Sequence, residues 1–116
     1  MRNQDVFLLI AITLMMSIGQ VLLKITAGFF PVGARLDPLA LINRYFIGAL
    51  LVYGIAAILW IFALREMALS RAYPFIVLSF LFTPLLAWEF LGEPLSWSYA
   101  FGMGLICAGL LVVTHT

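Results

Sequence analysis

An all-α integral membrane protein of four spanning helices is the fold class this sequence predicts, on three observations. Of its 116 residues, 66% are hydrophobic and only 9% charged, where an ordinary soluble domain carries about 25% charged residues. The charges gather in short groups separated by uncharged runs at 6–23, 45–64 and 72–88, and no Asp, Glu, Lys or Arg follows residue 93. Each run approaches the roughly 20 apolar residues that cross a bilayer core of about 30 Å. A soluble chain this small has too little interior to hide so much apolar surface, whereas lipid solvates it. In lipid each backbone polar group needs a partner within its own segment, which leaves helices as the spanning element of so short a chain.

The four spans fall near residues 5–29, 42–64, 71–90 and 95–114, in a single domain over 1–116. The links are short except for 30–41, where Pro31, Gly33, Asp37 and Pro38 mark a turn-rich loop. Arg2 and the small residues Thr26-Ala27-Gly28 have the outline of a cleaved signal peptide. The apolar run is longer than a signal core and Lys24 would precede the cut, so the first span is read as a retained helix. Counted over the short loops, Arg2, Arg65 and Arg71 on one side oppose Lys24, Arg35 and Arg44 on the other. Placing Lys24 inside the membrane tips the balance three to two toward cytoplasmic termini. So small a bias predicts an inverted fraction, and parallel and antiparallel pairing both remain open. The net charge of +1 argues against electrostatic docking to nucleic acid, which needs a clustered basic face. Cys107 is the single cysteine, so neither an internal disulfide nor a cysteine metal cluster forms.

Polar side chains inside a span are expensive and point to function. In the first span, Thr13, Ser17, Gln20 and Lys24 fall within an arc of about 60° and form one stripe. Thr13 and Ser17 can bond back to their own helix, and Lys24 can snorkel to the interface. Gln20 is harder to satisfy that way, because a buried amide wants several partners. The stripe is therefore expected to line a polar cavity. The third span opens with Arg71-Ala72-Tyr73-Pro74, where proline costs little. Its interior Pro84 is expected to kink the helix and free the carbonyl of Phe80. Tyr73 fits either an aromatic-belt anchor or a cavity wall. Glu89 and Glu93 are spaced to share a helical face, yet Gly92 and Pro94 predict a turn around Glu93, and His115 sits at the chain's end. No nucleophile, metal cluster or cofactor motif completes an enzyme site. In the fourth span Gly102 and Gly109 are two turns apart on one face, suited either to packing within the chain or to a dimer interface.

The run GQVLLK in the first span, the AY opening of the third and GMGLICAGL in the fourth resemble the small multidrug resistance proteins of the drug/metabolite transporter superfamily. The resemblance covers nearly the whole chain and implies a dimer through Gly102 and Gly109. Aligned through Gly19 and Lys24, Met16 stands where the drug exporters carry a membrane-embedded glutamate. Ile76 likewise replaces their third-span tryptophan, and Tyr73 keeps their tyrosine. The segment from Ser17 to Lys24, with ALSRAYP and GEPLS, is more similar to subunits of the aminoarabinose-lipid flippase. That branch implies movement of a sugar on undecaprenyl phosphate across the bacterial inner membrane, with two different subunits. Lys24, Gln20, Ser17 and Tyr73 are the expected substrate contacts, with Arg44 or Arg71 as interfacial partners. The lipid-linked sugar, the bilayer and a similar four-helix subunit (identical or not) are the expected partners. Export of drugs or other small solutes, and a non-transporting role as an assembly partner, are the alternatives.

Overall fold

The computed structural model describes residues 3–30, 33 and 38–115; Arg2, Pro31, Arg35 and Asp37, used in the loop and charge expectations, lie outside them. The first span is helix α1 (Asn3–Ala27). A single turn, α2 (Pro38–Leu41), precedes α3 (Arg44–Leu64). The third span is composite: α4 (Leu69–Ala72), a 3₁₀ segment (Tyr73–Leu78) and α5 (Ser79–Leu91). Helix α6 (Trp97–Thr114) is the fourth. All four are long and apolar enough to cross a membrane, and every bound falls within two residues of its expected place.

Local chemistry sets the boundaries. Asn43 caps α3 by accepting from the amides of Tyr45 and Phe46 at 2.9 and 3.1 Å, and Ser96 caps α6 by accepting from Tyr99 at 3.1 Å, each satisfying orphan donors of a first turn. Gly92 ends α5 with φ +70°, the left-handed position that favours glycine, and the Glu93 amide donates to Ala87 at 3.3 Å. Glu93 thus lies beyond the helix, and Glu89 and Glu93 do not form a pair on one helical face.

Helix α5 continues through Pro84, and the departure from α-helical bonding falls earlier, in the 3₁₀ segment that starts around Pro74. Both prolines remove a helical donor, and tightening of the preceding segment to i→i+3 bonding is how this span absorbs them.

Helices α1 and α3 form the tightest pair, packed antiparallel. Ala49, Ala56 and Ala63, buried at seven-residue intervals, give α3 a smooth face against Leu9, Ile12 and the rest of α1. Small residues at this spacing permit close helix approach where no hydrophobic force separates protein from lipid. Gly19 packs directly on α3: a Cβ there would stand 2.8 Å from the Tyr53 ring. Gly19→Ala is expected to cost about 1–3 kcal/mol by overpacking, measured as lost thermal stability in detergent. In a Tyr53→Ala background the same change should be nearly neutral; strict additivity would show that the ring is not what excludes the side chain.

Helix α6 packs differently. No residue of α6 is buried within the chain, and it rests mainly on the 3₁₀ segment. The molecule is a slab 48 × 36 × 20 Å, two helices thick. Its accessible surface is 8080 Å², against about 6300 Å² for a compact soluble monomer of this mass.

Candidate functional site

The stripe on α1 divides in two. Thr13 and Ser17 are fully buried and donate to the carbonyls of Ile10 and Thr13 at 2.8 and 3.0 Å. Ser17 therefore does not line a cavity, because its hydroxyl is consumed by its own helix. Gln20, one turn on, is exposed and opens onto a pocket of 260 Å³ lined also by Ser79, Phe80, Thr83, Pro84 and Tyr99. On its other flank Gln20 interacts with the Tyr53 hydroxyl without completing a hydrogen bond, so that buried oxygen lacks a partner of proper geometry.

Pro84 shapes this pocket. It cannot donate to the carbonyl of Phe80, four residues back, and that carbonyl instead accepts from the Tyr99 hydroxyl at 3.4 Å. The hydroxyl of α6 thus compensates a defect in α5, joining the outlying helix to the bundle through a polar contact.

Lys24 occupies the last turn of α1, one turn beyond Gln20. Its ammonium lies 3.9 Å from Glu93, with the two side chains 64% and 47% exposed. Exposed pairs of this kind contribute about 0–1 kcal/mol, so the contact is readily exchanged. Arg44, at the same end of the bundle, donates to the Tyr45 hydroxyl at 2.9 Å and lies 4.9 Å from that ring's centre. Tyr73 and Arg71 are exposed at the opposite end, where α3 gives way to α4. The expected contacts Lys24 and Arg44 share one end of the slab with Gln20 one turn inward, and Tyr73 and Arg71 lie toward the other end of the third span.

Met16 and Ile76, aligned above with the drug exporters' glutamate and tryptophan, come together in one pocket of 230 Å³ with Ile12, Tyr53, Ala56, Ala57 and Trp60. None of these side chains ionises as a carboxylate. Gly102 and Gly109 face open space, since a Cβ at either meets no atom within 4 Å. Packing within the chain is thereby removed as their explanation.

Sequence reasoning missed Tyr53, Ser79, Thr83 and Tyr99. A signal existed for two of them: Ser79 and Thr83 are four apart and share a helical face. Tyr99 and Tyr53 join the group only through contacts between helices distant in sequence.

Residues 1–115 match the EamA-like transporter family. Among curated proteins, the chain is 43% identical over 66 residues to a "Probable 4-amino-4-deoxy-L-arabinose-phosphoundecaprenol flippase subunit ArnF" of Erwinia tasmaniensis, covering 55% of this chain and 52% of the relative. It is 34% identical over 65 residues to the corresponding ArnE subunit of Klebsiella pneumoniae, covering 56% and 58%. These two matches span little more than half the length of either relative. A longer match, 30% identical over 121 residues, covers 91% of this chain and 88% of the ArnF subunit of Proteus mirabilis. No solved structure matches the chain. With four spans, an all-helical architecture and a family match over almost its full length, this chain is a multi-pass membrane protein of the EamA-like transporter family.

Proposed function

We propose that the protein is a flippase subunit of the bacterial inner membrane that moves a sugar linked to a polyprenyl phosphate between leaflets. The observation that carries this reading is the pairing of an uncharged pocket bearing the Gln20 amide and three hydroxyls with the exchangeable cation Lys24 one turn beyond it. A lipid-linked sugar presents the same order of chemistry: an apolar tail that stays in the bilayer, a phosphate, then a polar head. Lys24 exchanges Glu93 for the phosphate, and Arg44 is a second interfacial cation at that end. The tail remains against the exposed apolar faces of the spans while the head passes between helices. The role is transport, without bond-making chemistry. The similarity to flippase subunits over most of the chain supports the same assignment. Proton-coupled export of cationic drugs is disfavoured by the apolar pocket around Met16 and Ile76, since a cation in low dielectric needs a counter-charge.

Helix α6, with its unburied face and open glycines, is the proposed contact with a second four-helix subunit, identical or not. Everted inner-membrane vesicles test the function. Polyprenyl-phosphate sugar added to the outer face should become protected from impermeant periodate faster when the chain and its native partners are present. Equal protection in vesicles lacking the chain would remove the assignment.

A further inference from the structure

The pocket between α1, α5 and α6 holds more hydrogen-bonding capacity than packing requires. Gln20 brings an amide with two donors and an acceptor, Ser79 and Thr83 bring hydroxyls one turn apart on α5, and Tyr99 brings a third hydroxyl from α6. The Phe80 carbonyl, deprived of its helical donor by Pro84, holds Tyr99 by a long 3.4 Å contact and keeps a second lone pair. None of the six lining residues carries a charge. The volume of 260 Å³ falls just below the roughly 300–1,000 Å³ typical of sites for drug-sized ligands. It suits one monosaccharide ring.

We propose that this pocket is the subsite for the sugar of the translocated lipid, and that it selects an uncharged, polyhydroxylated ring over an amino sugar. The inference rests on the flippase reading and adds the substrate's class. Each sugar hydroxyl both donates and accepts, matching amide, hydroxyls and carbonyl. An ammonium in the same place would exchange water for neutral dipoles alone, and burial of a charge without a counter-charge is costly. Glu93 lies past the end of α5 and faces Lys24, so it belongs to the phosphate end rather than to the ring's pocket. Lys24 one turn from Gln20 sets the phosphate beside the ring, in the order that a glycosyl phosphate demands.

The test compares two probes in everted inner-membrane vesicles from cells producing the chain with its native partners: polyprenyl-phosphate glucose and polyprenyl-phosphate 4-amino-4-deoxyarabinose. Both rings carry a vicinal diol, so periodate protection reports both. The glucose lipid should move about tenfold faster, and Thr83→Val should raise its half-saturating concentration about three- to tenfold, the loss of one hydrogen bond. Thr83→Ser should restore it, and thermal stability in detergent should stay unchanged in all three proteins. Ser79→Ala provides an independent second variant with the same expected shift. Faster movement of the amino sugar, or glucose-lipid movement indifferent to both variants, overturns the subsite while leaving the flippase reading intact. Movement of neither lipid overturns the flippase reading and the subsite with it.

Discussion

Lys24→Met is expected to lower translocation of the polyprenyl-phosphate sugar by about 10- to 100-fold, at an unchanged amount of inserted protein. The magnitude follows from hydrogen bonds to charged groups, worth about 1.5–3 kcal/mol, and from the cost of leaving a phosphate without a counter-charge as it enters a low-dielectric path. Met keeps the apolar stem that packs along α1 and removes only the ammonium. Because the Lys24 side chain is 64% exposed and paired only loosely with Glu93, its loss leaves no buried charge behind, so folding should survive. Lys24→Arg should retain part of the activity, since the charge persists with a different shape and reach. Glu93→Gln should not reproduce the defect: it frees Lys24 rather than removing it. The measurement is the rate of periodate protection in everted vesicles, normalised to the chain's abundance. A wild-type rate for Lys24→Met would make Lys24 a snorkelling anchor and end its role as the phosphate's partner.

Gly109→Leu is expected to weaken association of the four-helix subunits by about tenfold or more, a change of at least about 1.4 kcal/mol. Small residues let two membrane helices approach closely, and an added isobutyl group holds them apart. The tertiary structure makes the experiment clean. A Cβ at Gly109 or Gly102 meets no other part of its own chain within 4 Å, and α6 buries no residue internally, so the substitution leaves the packing of the monomer largely intact. Light scattering on detergent-solubilised protein reads the association directly. Gly102→Leu should act in the same direction, because the two positions share a face. A dimer yield unchanged in both variants would place the interface on another helix.

The fold was legible in the sequence because lipid imposes one dominant rule. A span must be apolar for its whole length and must satisfy its own backbone, and both conditions can be read residue by residue. The four spans, the turn at Gly92 and the freed Phe80 carbonyl followed from that rule and from the chemistry of Gly and Pro. Met16 and Ile76, aligned by resemblance with two separate positions of the drug exporters, line a single pocket.

Tertiary structure alone decided how the polar residues are used. Periodicity places Thr13, Ser17, Gln20 and Lys24 on one face, but it does not say which neighbour covers that face. Close packing of the neighbouring helices seals Thr13 and Ser17, while Gln20, one turn on, stays open beside Thr83 and Tyr99. Tyr73, joined to Gln20 by resemblance, stands at the other end of the slab because the third span runs parallel to α1 and begins where α1 begins. The fate of the freed carbonyl has the same origin: proline dictates that a carbonyl is freed, whereas the partner that satisfies it, Tyr99, comes from another helix. Spacing along one helix is a local property set by 3.6 residues per turn; which faces meet is set by close packing between segments, and that is where the candidate site was made.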